Sequence, residues 1–278
     1  MLSYQHGFHA GNFADLHKHL TLALLLESLN RKAKPWSYLE THSGRGRYDL
    51  RDAQAAKTGE YLEGIAKLWA LSADSALGRY LDLVRSLNSG KLETYPGSPL
   101  IAATMAREND QIHLMELHPQ EVIELKRNFR NFPQVGVHHR DGYEGVQSLL
   151  PPRPNRGLVL IDPAYEVKTE YMDVAKFLPK ALKHWGNASY AIWYPLLGAA
   201  RHEEMIRALV ANCPSVGILR SELHVSAPTE RGMFGSGMLL INPPWQLDQQ
   251  LTAEVPELLR KLDVSAGRAE LSWLREPA

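Results

Sequence analysis

The chain has 278 residues, 44% of them apolar, with 31 basic and 31 acidic side chains and a formal net charge of zero. That length and apolar content allow a buried core in one or two domains, and the charge balance excludes a uniformly basic nucleic-acid or membrane-surface binder. A single cysteine, Cys213, excludes an internal disulfide and a cysteine-based zinc site and suits a reducing, cytoplasmic setting.

The N-terminal stretch MLSYQHGFHAGN carries no basic-then-apolar signal. The longest apolar run, near Leu20 to Leu26, falls far short of the about 20 residues that span a bilayer, so no membrane association is expected. His6, His9, His17 and His19 crowd this end without an acidic or cysteine partner at ligand spacing. Positioning of a cofactor by a segment that orders over it is expected there, rather than a metal site.

Five runs rich in branched or aromatic residues then alternate with segments of helical period: Ser37 to Thr41, Gln111 to Glu116, Val135 to His139, Leu158 to Asp162 and Ser189 to Tyr194. The alternation predicts parallel strands joined by crossover helices, and two further strands are expected near Gly217 to Val225 and Gly237 to Asn242. Between the first two strands the chain is too long for a βαβ unit of roughly 30 residues. Residues 59–88 carry apolar positions three and four apart and read as two helices. Ser98 is the expected N-cap of a crossover helix running from Pro99 to Arg107. The expectation is one α/β domain, 1–278, with a helical insertion at 48–95. Residues 126–156 carry six Lys/Arg against two Asp/Glu, which suggests a basic flank just before the fourth strand.

Ligands of open α/β sheets bind beyond the carboxyl ends of the strands. Glu40 ends the first strand and is followed by Gly44 and Gly46; Glu116 ends the second; Asp141-Gly142 follows the third; Asp162 ends the fourth. Acids and glycine turns at four successive strand ends point to a nucleoside-type cofactor. With no glycine-rich pyrophosphate clamp, a phosphate-free sulfonium such as S-adenosylmethionine fits better than a dinucleotide.

The stretches MLSYQHGFHAGNFADLHKH, THSGRGRY, YPGSPL, MELHP, RDGYEG, LIDPAYE and SGMLLINPPW occur in order over nearly the whole chain. Together they resemble the bacterial 23S ribosomal RNA large subunit methyltransferase J family, which is S-adenosylmethionine-dependent, adenine-N6-specific and formerly linked to competence and use of external DNA. The resemblance implies a Rossmann-like class I methyltransferase: a mostly parallel seven-stranded sheet with its last strand antiparallel, acting as a monomer on one adenine of naked or early-assembly 23S ribosomal RNA, position 2030 in the family's usual numbering. Carried over position by position, it implies S-adenosylmethionine contacts at Lys18, His19, His42, Ser98, Glu116, Asp141, Gly142 and Asp162. It implies RNA contacts at Tyr4, Pro163 and Tyr165, catalysis by Asp162, and no metal. His42 stands where many methyltransferases have the first glycine of this loop. DNA as the substrate, or a non-catalytic nucleic-acid-binding role in DNA uptake, are the alternatives.

Two stretches compete for the base. LVLIDPAY (158–165) and LLINPPW (239–245) both run a strand into a polar residue, proline and an aromatic, and only the second spells Asn-Pro-Pro-aromatic in full. In a methyltransferase-like sheet the last strand is antiparallel, so its carboxyl end emerges opposite the cofactor. Asn242 to Trp245 is therefore expected to be an exit turn with Trp245 buried. Asp162 and the Pro163 carbonyl are expected to accept the two N–H bonds of an adenine N6 amine while Tyr165 stacks on the ring. Ala164 replaces the motif's second proline. Hydrolase chemistry has no support: FGSGM around Ser236 lacks the G-x-S-x-G spacing, and Cys213 has no signalled base. Arg231 is a candidate for a phosphate contact.

Overall fold

A computed structural model describes residues 5–230 and 232–277, in which strands and helices alternate. A 3₁₀ turn at His6–Phe8 leads into α1 (Phe13–Asn30), whose N-cap Asn12 accepts from the amides of Ala14 and Asp15, both at 3.0 Å. β1 (Ser37–Glu40) follows, then an inserted segment containing β2 (Arg47–Asp49), α2 (Ala53–Thr58), α3 (Ile65–Leu68), α4 (Ala76–Ser86) and β3 (Thr94–Pro96). The alternation resumes with α5 (Ser98–Met105), β4 (Gln111–Glu116), α6 (Pro119–Phe129), β5 (Val135–His139), α7 (Gly142–Leu149), β6 (Gly157–Ile161), α8 (Glu170–His184) and β7 (Ser189–Leu197). It closes with α9 (Arg201–Asn212), β8 (Ile218–His224), β9 (Met233–Ile241), α10 (Leu247–Lys261) and β10 (Arg268–Arg275).

The main sheet runs β10-β8-β9-β7-β6-β1-β4-β5. From β7 to β5 every pairing is parallel, and β9 is inserted antiparallel between β7 and β8. This is the order of a Rossmann-like class I methyltransferase with one addition. The sheet has eight strands rather than seven, because β10 pairs antiparallel with the outer edge of β8. Its sequence RAELSWLR contains no β-branched residue, so pairing with β8 rather than strand propensity specifies it.

Two apolar layers enclose the sheet. Leu16, Leu20, Leu24, Ile101, Leu125, Leu251 and Leu258 belong to a core on one face, and Val146, Val174, Leu178, Met205 and Leu209 to a core on the other. The apolar run of α1 is buried all round, in contact with α4, α5, α10 and β9, which explains its lack of an amphipathic stripe. No helix among the described residues is long and apolar enough to cross a membrane.

The insertion departs from the expected pair of helices. Only α4 is a regular amphipathic helix; the stretch before it is broken at Gly59, which is left-handed (φ +64°), and at Gly64, where a Cβ would lie 2.0 Å from the Gly11 carbonyl oxygen. A two-stranded ribbon, β2 with β3, draws the ends of the segment together. Ser98 is also not the N-cap of the crossover helix. Gly97 caps α5, and the Ser98 hydroxyl instead donates to Glu40.

Candidate active site

A cavity of about 730 Å³ opens over the carboxyl ends of β1, β4, β5 and β6. On its floor Gly44 (φ +57°) turns the chain so that its amide donates to Glu116 Oε2 at 2.7 Å, while the His118 amide donates to Oε1 at the same distance. Burial pushes the Glu116 carboxyl upward, and these two amides oppose the shift. Asp141 caps α7 by accepting from the Glu144 amide at 2.9 Å. At Gly142 a Cβ would lie 2.0 Å from the Thr41 carbonyl oxygen, so glycine is what lets the start of α7 close on the end of β1. His42 lines the same wall, Nδ1 2.8 Å from Thr41 Oγ1 and its ring edge-on to Tyr143; burial lowers its pKa to about 4, so the imidazole is neutral at pH 7.

Glu40 takes no part in the lining. It is fully buried, accepts from the hydroxyls of Tyr38 and Ser98, and burial raises its pKa to about 8. Gly46 (φ +70°) packs against Phe129 behind the loop, whereas Ser98 borders the cavity.

The opposite wall is built from α1 and the end of β6. Residues 15, 18 and 19 share one helical face, and Asp15 there gathers nitrogen neighbours: His6 Nε2 at 2.8 Å, Lys18 Nζ at 3.2 Å and His19 Nε2 at 3.9 Å. Burial alone would raise the Asp15 carboxyl, but these three neighbours together hold it well below the ordinary range. Lys18 reaches across to Asp162 Oδ2 at 2.7 Å, so its ammonium bridges two carboxylates from opposite ends of the sequence. Asp162 Oδ1 carries no hydrogen bond among the described residues. His19 borders the cavity but is committed elsewhere: Nδ1 lies 2.9 Å from the Tyr95 hydroxyl, itself 2.8 Å from that of Tyr80, and burial lowers the imidazole to about 3.

Beyond Asp162, Pro163 and Ala164 line the cavity, and neither the Pro163 carbonyl nor the Ala164 amide is hydrogen-bonded among the described residues. Tyr165, expected to stack on the base, lines the cavity as a largely buried residue. It is left-handed (φ +55°), only 7% exposed, donates its hydroxyl to the Trp193 carbonyl at 2.8 Å, and packs on Tyr171 with ring centroids 4.3 Å apart. One ring face is thus covered by protein, and the residue serves as a fixed wall of the cavity.

Direction separates the two competing motifs as expected. β9 is antiparallel, Ile241 pairs with Tyr190 at the start of β7, and Asn242 lies at the edge opposite the cavity, its amide donating to the carbonyls of Gly186 and Ala188. Trp245 is not buried there: it is 79% exposed, because the helix that follows turns Leu247 and Leu251 inward instead. None of the six Lys/Arg between 126 and 156 lines the cavity; Arg156 donates to the carbonyls of Leu29 and Lys34, and Arg140 pairs with Glu144. Tyr4 and Arg231 lie outside the described residues.

Asp15, Tyr143, Phe177 and Trp193 line the cavity without having been singled out by sequence. A signal existed for Asp15 alone, as an acid three and four residues before Lys18 and His19 in an otherwise apolar helix. His17, by contrast, lies outside the site, its nitrogens 3.0 Å from Ser221 Oγ and 3.1 Å from Ser236 Oγ, with burial lowering it to about 3. His9 pairs with Glu60 at 2.9 Å at the cavity rim.

The lining chemistry selects a ligand class. Eight carboxylates and three lysines face the cavity, with no arginine among the described residues, and the α7 N-terminus is already capped by Asp141. An anionic pyrophosphate has no seat there, while a cationic, phosphate-free nucleoside does.

Residues 33–275 match the family model described as Ribosomal RNA large subunit methyltransferase D, RlmJ. The chain is 44% identical over 278 residues to ribosomal RNA large subunit methyltransferase J of Escherichia coli, covering 99% of both chains. It is also 44% identical over 279 residues to the protein of the same name from Haemophilus influenzae, again over 99% of each. Among solved structures it resembles protein LPL1258 from Legionella pneumophila, with a TM-score of 0.87 at 36% identity, over 95% of this chain and 98% of that one. The chain therefore belongs to the ribosomal RNA large subunit methyltransferase J family.

Proposed function

We propose that this chain methylates the exocyclic N6 amine of an adenine in 23S ribosomal RNA, with S-adenosylmethionine as donor. The observation that carries the reading is Asp162 at the end of β6, with one carboxylate oxygen held by Lys18 and the other facing no protein donor, beside the unpaired Pro163 carbonyl. S-adenosylmethionine, when bound, supplies a methyl group activated by its sulfonium. Glu116 suits the ribose hydroxyls, His42, Asp141 and Gly142 the adenosyl end, and Lys18, His19 and Ser98 the amino-acid end, within a cavity of ordinary size for such a ligand.

An adenine N6 lone pair is delocalised into its ring and attacks poorly. Asp162 Oδ1 and the Pro163 carbonyl each accept one N–H, which favours a pyramidal nitrogen with its lone pair directed at the methyl group. As the N–C bond forms and the nitrogen becomes positive, Asp162 Oδ1 holds the proton that must leave. Lys18 fixes the rotamer of that carboxylate, so orientation supplies most of the protein's share of catalysis. Tyr165, pinned through its hydroxyl, forms the apolar wall beside the base.

The test is transfer of tritiated methyl groups to naked 23S ribosomal RNA, assembled large subunits and DNA, followed by nucleoside analysis. N6-methyladenosine in naked ribosomal RNA is expected. Label confined to DNA, or none despite bound S-adenosylmethionine, rejects the reading.

A further inference from the structure

A second cluster of ligating side chains lies where the added strand β10 meets β8, and none of its members lines the catalytic cavity. Alternate residues of a strand share a face, so Arg220, Glu222 and His224 project to one side of β8. The antiparallel register sets Glu270 directly opposite Glu222 and Arg268 opposite His224. Two carboxylates opposed across a ladder repel unless a cation intervenes. The neighbouring arginines are turned to other oxygens: Arg268 pairs with Glu270 Oε1 at 2.9 Å on the exposed side, and Arg220 with Glu203 at 3.3 Å.

His224 is 6% exposed, and its Nε2 is buried without a hydrogen-bond partner among the described residues. That nitrogen lies 3.5 Å from Glu222 Oε2 and 3.9 Å from Glu270 Oε2. These separations are long for charge-assisted hydrogen bonds but close to a tetrahedral edge, which for metal–ligand bonds of about 2.1 Å is roughly 3.4 Å. On the other side of Glu222, His202 of α9 is buried with Nδ1 likewise unpartnered, and its ring stacks on Tyr194 at 5.3 Å. His202, Glu203 and Glu222 also bring one donor atom each to within 4.8 Å of one another.

The surrounding chain is shaped for this arrangement. The Tyr194 hydroxyl donates to Glu222 Oε1 at 2.8 Å, orienting the carboxylate. Tyr194 can lie across the sheet because Gly237 stands between it and Glu222 in the ladder; a Cβ there would fall 2.1 Å from the tyrosine ring. Gly235, paired with His224, would likewise set a Cβ 2.6 Å from the Leu223 carbonyl oxygen. The two glycines of FGSGM thus form a trough beneath the cluster.

We propose that Glu222, His224 and Glu270 bind one divalent transition-metal ion, with solvent completing its coordination. Imidazole and carboxylate together suit zinc or cobalt(II) rather than magnesium or calcium. The ion fastens the added edge strand to β8, a structural role separate from methyl transfer.

The full-length chain, stripped with chelator and dialysed, is titrated with zinc chloride by calorimetry and with cobalt chloride by visible absorption. One equivalent per chain is expected, with the d–d spectrum of four-coordinate cobalt and a rise in Tm of about 5 °C at hundredfold excess over Kd. Glu270→Gln, on the accessible edge strand, and His224→Gln should each weaken binding at least tenfold and lose the Tm rise, while circular dichroism and metal-free methyl transfer match the parent. Absence of stoichiometric uptake, or uptake that both folded variants retain, overturns the proposal.

Discussion

Lys18→Met isolates the contact on which the proposed chemistry depends. The ammonium lies 2.7 Å from Asp162 and 3.2 Å from Asp15, with side-chain exposures of 6%, 13% and 1% respectively. Methionine preserves the stem and removes the charge. Asp15 keeps its bonds with His6 Nε2 and the Gly11 amide, whereas Asp162 loses its cation. Removing one partner of a buried pair costs about 3–5 kcal/mol, and partial access of water to Asp162 argues for the lower end, about 3 kcal/mol. At roughly 2–4 °C per kcal/mol for a chain of this size, Tm should fall by about 6–12 °C. The unanchored carboxylate should lower kcat on the order of a hundredfold, with a smaller change in S-adenosylmethionine affinity. Thermal unfolding, steady-state tritium transfer and calorimetry measure the three quantities. Adding Asp162→Asn should restore part of the lost stability but none of the activity, since a neutral amide needs no counterion. A Lys18→Met protein that melts within about 2 °C of the parent at full kcat refutes the reasoning.

Three further outcomes follow from the geometry. Glu40 holds a proton to about pH 8 in the folded chain but releases it near 4.5 when unfolded, so stability falls as pH rises across that window, by at most about 1.4 kcal/mol per unit. Glu40→Gln should flatten that slope in urea midpoints taken at about pH 5, 7 and 9, and an unchanged slope would exclude Glu40 as its source. Gly142→Ala forces a Cβ against the Thr41 carbonyl, backbone against backbone, and should lower stability by about 1–3 kcal/mol and weaken S-adenosylmethionine binding together; calorimetry showing parental affinity contradicts this. Ala164→Pro removes an amide that makes no hydrogen bond and restricts the turn, so the rate should stay equal or rise; a loss above about tenfold shows that the turn cannot accept proline.

The strand ends were legible because each runs apolar residues into a polar one, and parallel pairing then stacks those ends along one edge. What sequence could not show was which acids would be shut inside. Glu40 ends a strand as Asp162 does, but the returning insertion lays Ser98 over it, and the pair is buried together. The Lys18–Asp162 contact joins residues 144 positions apart, and only the packing of α1 over the sheet, against β9 and β7, creates it. The left-handed backbone of Tyr165 turns its ring onto Tyr171, a local conformation that residue identity does not announce. Trp245 was misjudged: an aromatic after two prolines has no obligation to point inward when the next helix supplies its own apolar face. β10 escaped notice because its strand character comes from its partner.

The central claim is that Asp162, and not the better-spelled Asn242, holds the target base. Methyl transfer to naked 23S ribosomal RNA by Asp162→Ala and Asn242→Ala proteins, each checked for fold and S-adenosylmethionine binding, tests it most directly. Asp162→Ala should bind the cofactor and transfer no methyl group, while Asn242→Ala should lose turn stability but keep the parental rate. Activity surviving in Asp162→Ala, or vanishing in a folded Asn242→Ala, would contradict the assignment of the site.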